Sequence, residues 1–212
     1  MDKPKREIVL LVGMQGSGKS RYLRDNAEHF KGFTIISLDD LIEQRARQIH
    51  METELPFALT LVWDNKHEID ALRDQCEKRF REALARGDNI VVDALNANPD
   101  LRQKRVGPAK ESPDYDYKAT AIVIHAPEEP EHMDRLCDRG MKTGHWAITR
   151  RMPQGLVSIQ EDEGFDTVTE VGEPPRKRIF QDLINPTVPT MLEIVKARGK
   201  ASGDKQKTEL YF

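Results

Sequence analysis

The sequence predicts an α/β domain: a parallel sheet of about five strands with helices on both faces. Three observations predict it. Short apolar runs, each of strand length, alternate with stretches of helical periodicity. The first run, IVLLV, leads into the glycine-rich turn GMQGSGKS and then into a helical pattern, the strand–turn–helix order of a phosphate-cradling loop. The chain of 212 residues, 38% hydrophobic and 33% charged, is long enough for one sizeable core and short for two.

In chain order, EIVLLV (7–12), FTIIS (33–37), NIVVD (89–93) and ATAIVIH (119–125) read as buried strands. The alternating DTVTEV (166–171) supplies a fifth. Helices are expected over 19–30, 40–51 and 65–86. In the last, Ile69, Leu72, Cys76, Phe80 and Leu84 share a face, and Gly87 gives the stop. The segment 127–151 opens as a helix, EEPEHMDRLCDRG, and short helical patterns follow at 174–189 and in MLEIVKARG. The closing KASGDKQKTELYF is polar and reads as a mobile tail. A single domain is therefore expected over 1–198, with a lid at about 127–156 and a tail over 199–212.

The formal net charge of −3 does not advertise a polyanion partner, so nucleic acid would have to meet a local basic patch. Cys76 and Cys137 stand apart, without metal-ligand spacing, which argues against a disulfide framework and for a reducing cytoplasm. No apolar run resembles a leader peptide or approaches the ~20 residues of a membrane span, so a soluble, cytoplasmic protein is expected.

Gly13, Gly18, Lys19 and Ser20 fit G-x-x-x-x-G-K-[ST]. Such a turn aims backbone N–H groups at phosphate oxygens, and the following helix adds its positive dipole end. Lys19 then reaches the β- and γ-phosphates, and the Ser20 hydroxyl ligates Mg²⁺. ATP is the expected guest, held by Gly13, Gln15, Gly16, Ser17, Gly18, Lys19, Ser20 and Arg21. Asp39 and Asp40 follow the second strand. Ligands of open parallel sheets bind beyond the carboxyl ends of the strands, so one aspartate suits the base for an incoming hydroxyl. The other reading is a helix N-cap, and spacing leaves the two open. Asp93, at the end of the third strand, can hold Mg²⁺ directly or through water. Asn96 and Asn98 offer polar groups for an acceptor or for holding the loop, and Asn98, just before Pro99, suits the turn. Arg135, Arg139, Lys142, Arg150 and Arg151 form a cationic segment able to fold over a triphosphate, with Gly140 and Gly144 to let it move. His145 and Trp146 could stack on a base or pack the lid.

These motifs together resemble the polynucleotide 5′-hydroxyl kinases of phage and animal DNA and RNA repair. GMQGSGKS stands where such kinases carry GCPGSGKS, and SLDD is similar to their NRDD-like element. VVDALNANPDLR matches their D-x-x-N strand end with its following N-P. RGMKTGHWAITRRM is similar to the phage-type lid, and SIQEDEGFDTVTEV to the E-G-F ending of the animal enzymes. The resemblance covers about 7–171, and the lid spacing with the E-G-F ending is its most specific part. It implies a P-loop kinase fold with an arginine-bearing lid. It also implies Asp39 as general base, Lys19 and Ser20 at the phosphates and Mg²⁺, Arg139 as the lid arginine on ATP, and Asp93 near the metal or acceptor.

Two departures stand beside the base. The family's arginine before the aspartate is Leu38, and a second arginine, three residues after it, is Ile42. Standalone relatives of this kind in phages include kinases that phosphorylate the hydroxymethyl group of 5-hydroxymethyluracil within DNA, a primary alcohol that needs no terminus. The expected function is accordingly an ATP- and Mg²⁺-dependent kinase acting on a hydroxyl of nucleic acid, with that modified base in DNA favoured. A 5′-hydroxyl kinase is the alternative, followed by a small-metabolite kinase and a nucleotide-driven switch. Basic clusters at 102–105, 150–151 and 176–178 are candidate contacts to a duplex backbone.

Overall fold

The structure is a computed structural model that describes residues 3–49, 55–128, 131, 132, 134–136, 138 and 157–173. Five strands, β1 (Lys5–Val12), β2 (Thr34–Ser37), β3 (Ile90–Asp93), β4 (Asp116–Ile124) and β5 (Thr167–Val171), form one sheet in the order β2-β3-β1-β4-β5. Every pairing is parallel, as expected for strands separated by helices.

The central strand shows why the sheet is covered twice. Successive side chains of a strand point to opposite faces. Ile8, Leu10 and Val12 of β1 pack with Leu41, Ile42 and Ala46 of α2 (Leu38–Ile49), Phe80 of α4 (Lys66–Arg86) and Val106 of α5 (Pro99–Lys110). Val9 and Leu11 pack on the other face with Phe30, against Tyr22 and Leu23 of α1 (Lys19–Asp25). A strand buried on both faces needs the continuous apolar run that IVLLV provides.

Helix α4 begins at Asn65, whose side chain accepts the Glu68 N–H at 3.2 Å. It ends at Gly87, in the left-handed region at φ 69°, where a Cβ would overlap the Tyr115 ring. Gly87→Ala therefore meets both backbone strain and a clash, and is expected to destabilise the fold by about 1–3 kcal/mol in denaturant melts.

The structure departs from the sequence reading in several places. Helix α1 stops at Asp25 rather than 30: the Asn26 side-chain amide donates to the Tyr22 carbonyl at 2.8 Å, and turn bonds from the Ala27 and His29 N–H groups to the Arg24 and Asn26 carbonyls follow, at 3.3 and 3.0 Å. Helices α3 (Leu55–Asp64) and α5 were not expected. In α3 the run LPFALTLVWD is apolar almost throughout, which hides its periodicity. In α5 one of the buried positions is Arg102, which breaks the apolar stripe by which a helix is recognised. Asn98 caps α5, accepting the Leu101 N–H at 3.0 Å, with Pro99 following as the first helical residue.

In the basic cluster at 102–105 one member is a correction: Arg102 is fully buried against Glu163 and meets no duplex backbone. Arg105 pairs with Glu77 at 2.6 Å over the Phe80 ring, and Lys104 is exposed. The clusters at 150–151 and 176–178, most of the lid, the helical patterns after 174 and the tail lie outside the described residues. Among those described, no helix is long and apolar enough to cross a membrane.

Candidate functional site

In a parallel sheet all carboxyl ends reach one edge, and the site assembles there. Register sets its spacing: Asp93 of β3 pairs with Leu11 on one side and with Ser37 on the other. The loop after β1 is tied to the loop after β3 by the Gly13 N–H, which donates to the Leu95 carbonyl at 3.2 Å.

The loop has the features a phosphate cradle needs. Gly16 and Gly18 take φ of 77° and 106°, in the left-handed region. A Cβ at Gly13 would lie 2.5 Å from the Ile124 carbonyl oxygen and 2.7 Å from Ser17 Oγ. Among the described residues Ser17 Oγ is buried without a hydrogen-bond partner, an orphaned polar atom inside the loop. Lys19 Nζ donates to the Gly13 and Met14 carbonyls, both at 2.9 Å, which lays its charge along the loop. These residues fit a phosphate group. Gly13→Ala is expected to weaken ATP binding and lower the melting temperature, since the added methyl meets both the Ile124 carbonyl oxygen and Ser17 Oγ.

Ser20 and Asp93 stand together beside the loop. The Ser20 hydroxyl donates to Asp93 Oδ2 at 3.1 Å. Burial pushes the Asp93 carboxyl above its ordinary range, the Ser20 hydroxyl and the Lys19 charge pull it back in part, and Asp39 and Asp40 add to the rise. A hydroxyl beside a carboxylate of this kind fits Mg²⁺, which takes few protein oxygens and keeps the rest of its sphere for phosphate and water.

Asp39 and Asp40 sit in the first turn of α2. Neither is the N-cap: Ser37 fills that role, its Oγ accepting the Asp40 N–H at 3.2 Å. Burial, then the neighbouring Asp39 and Glu43 charges, raise the Asp40 carboxyl, against the bond to Ser37. Leu38 and Ile42, which replace the family's arginines, both pack on the core, and Ile42 is 1% exposed.

Asn96 takes the second of the two roles its type suggested, holding the loop. It is buried at φ 47°, and its side-chain amide donates to the Leu11 carbonyl at 2.7 Å, which holds the loop after β3 against β1. Arg21 lies on the exposed side of α1, paired with Asp25 at 3.3 Å. Arg139, Lys142, His145, Trp146, Arg150 and Arg151 lie outside the described residues. Arg135 is described: its Nη1 stands 3.8 Å from where a Gly18 Cβ would be, and its Nη2 donates to Glu131 at 2.8 Å.

The residue that sequence reasoning missed is Arg102. Its Nε and Nη2 donate to Glu163 at 2.5 and 2.6 Å, and its Nη1 to the Asn96 and Val157 carbonyls at 3.1 and 3.0 Å. Nη2 also reaches the Ser158 carbonyl at 3.3 Å. One guanidinium thus joins α5, the loop after Asp93 and the chain returning toward β5. The signal was present in the E-G-F element, where Glu163 is the partner, Gly164 turns at φ 79° and Phe165 packs on the core.

A protein family described as AAA domain matches residues 8–151. Among solved structures, the chain is similar to a Chloroflexus aurantiacus protein provisionally described as a kinase, with a TM-score of 0.52 and 12% identity over 96% of this chain and 98% of that one. It is similar to a fungal RNA kinase at a TM-score of 0.45 and 18% identity, over 95% and 99% of the two chains. A third likeness is to a structure from the PezAT toxin–antitoxin system of Streptococcus pneumoniae, at 0.48 and 17% over 70% of this chain, which spans 60% of the streptococcal one. None of the curated proteins matches. At these identities the first likeness shows a shared α/β P-loop fold.

Proposed function

We propose that this chain, which belongs to the AAA domain family, is an ATP-dependent kinase that transfers the γ-phosphate to a hydroxyl group on nucleic acid. One observation carries the reading: a complete phosphate loop faces two carboxylate positions on the same sheet edge. Asp93 lies 3.1 Å from the Ser20 hydroxyl, and Asp39, in the turn after the neighbouring strand, is near enough for its charge to raise Asp93. A switch needs the first carboxylate; an alcohol acceptor also needs the second.

In this reading the loop N–H groups and Lys19 bind the β- and γ-phosphates, with Gln15, Ser17, Arg21 and the lid residue Arg139 completing the ATP site. Ser20 and Asp93 would hold Mg²⁺, which neutralises charge on the phosphate oxygens when bound. Asp39 takes the proton of the acceptor hydroxyl as its oxygen bonds to the γ-phosphorus, and the bond to ADP breaks with its electron pair leaving on ADP.

The packing of Leu38 and Ile42 supports an acceptor that is not gripped by cations beside the base. The hydroxymethyl group of 5-hydroxymethyluracil within DNA is such an acceptor. The test incubates the full chain with γ-labelled ATP and three acceptors, followed by digestion to nucleosides. The acceptors are a 5′-hydroxyl oligonucleotide, a 5′-phosphorylated duplex with internal hydroxymethyluracil, and a metabolite pool. Label is expected on the modified nucleoside. Label confined to the 5′ end makes the protein a polynucleotide 5′-hydroxyl kinase, and label only in the pool makes it a metabolite kinase. ATP hydrolysis with no labelled alcohol would replace the kinase reading by a nucleotide-driven switch.

A further inference from the structure

We propose that His132 is a positioning residue for the phosphate loop, fixing the Gln15–Gly16 peptide so that the Gly16 N–H is presented to a nucleotide phosphate. The proposal rests on the loop being a nucleotide site, and not on which acceptor receives the phosphate. His132 Nε2 lies 2.8 Å from the Gln15 carbonyl oxygen. A carbonyl oxygen can only accept, so Nε2 carries the proton and donates. In a planar trans peptide the C=O and the next N–H point in opposite directions. With the Gln15 carbonyl turned out to His132, the Gly16 N–H points to the opposite side of the loop.

Packing holds the imidazole where it must be. A Cβ at Gly16 would lie 3.0 Å from Leu136 Cδ2 and 3.3 Å from the His132 ring, so these two side chains rest directly on this peptide. Leu136 is fully buried there, and the His132 N–H donates to the Glu128 carbonyl at 3.3 Å, which anchors the turn that carries the ring. Gly16 is held at φ 77°, a conformation in which the peptide before it could rotate if nothing gripped its oxygen. A phosphate cradle works through N–H groups already aligned before the ligand arrives. His132 supplies that alignment from outside the loop.

The test measures ATP affinity directly, by calorimetry on the full chain without any acceptor, for His132→Ala, His132→Phe and His132→Gln. Loss of one such hydrogen bond is expected to weaken ATP binding about three- to tenfold in the Ala and Phe variants. Gln places an amide donor near the Nε2 position and is expected to restore affinity to within about twofold, which a merely space-filling role would not produce. Thermal melts without nucleotide confirm that all three are folded. Wild-type affinity in His132→Phe would overturn the proposal, as would equal losses in the Gln and Phe variants. If the parent binds ATP and His132→Gln rescues, but no alcohol is phosphorylated, the kinase reading fails while the role of His132 stands. If the parent binds no nucleotide, both fall.

Discussion

Asp39→Asn is expected to abolish phosphoryl transfer while leaving ATP binding unchanged. The side chains are nearly isosteric, and an amide retains hydrogen-bonding capacity but cannot take a proton from an attacking hydroxyl. Asp39 sits in the first turn of α2, whose start is secured by Ser37 Oγ on the Asp40 N–H, so the substitution leaves the helix cap in place. The phosphate loop is on another strand and depends on Lys19, Ser20 and the glycines, so ATP affinity should hold. General-base catalysis is worth about 10²–10⁴ in rate, and a loss of that order in single-turnover transfer is the expected result. Turnover within about threefold of the parent enzyme would remove Asp39 from the role. Asp40→Asn is the matched control. Burial and the Asp39 charge hold the Asp40 carboxyl above its ordinary value of 3.8, so ionising it costs the folded state. The sign follows: folded-state stability falls as pH rises through the raised value, and the amide removes that loss. Asp40→Asn should therefore retain transfer and melt slightly higher than the parent at neutral pH.

How much of this was legible beforehand depends on what each residue does. The placement of Gly13, Gly18, Lys19, Ser20 and Asp93 could be read because the motif residues follow apolar strand runs, and the parallel sheet brings the ends of those runs to one edge. β1, β3 and β4 were legible because a doubly covered strand must be apolar, and the edge strand β5, TVTEV, was legible from its alternation instead. What escaped reading was geometry that only tertiary packing supplies. A single sequence treats every arginine as a surface cation by default, and Arg102 looked like one. It is fully buried because Glu163, 61 positions later, meets it. Asn96 illustrates the converse. Its type suited either an acceptor contact or a loop brace, and its left-handed φ and its bond to Leu11 favour the brace. Helix α3 escaped because helical periodicity is visible only when one face is polar, and LPFALTLVWD has almost none.

The buried pair carries the largest expected effect on stability. Arg102 is 0% exposed and Glu163 3%, and the guanidinium also holds the carbonyls of Asn96, Val157 and Ser158. Removing either partner leaves a charge without compensation in the interior, a change that costs about 3–5 kcal/mol. Arg102→Ala and Glu163→Ala are each expected to lose that much in denaturant unfolding, a large part of an ordinary domain's stability. Arg102→Met with Glu163→Leu removes both charges together and should recover most of the loss, because apolar replacement of a whole buried pair is often neutral or better. The pair also predicts the acid behaviour of the parent. Burial alone would raise the Glu163 carboxyl, but the bonds from Arg102 and the Gln160 N–H outweigh it and leave it below its ordinary value of 4.5. A carboxylate lowered in the folded state contributes stability that is present above pH 4.5 and disappears as pH falls through the folded value. The parent should therefore lose stability on acidification below that point, and the Met/Leu double variant should lose less. Equal acid slopes in the two proteins, or a double variant no more stable than Arg102→Ala, would show that α5 and the E-G-F turn are joined by their apolar contacts rather than by this ion pair.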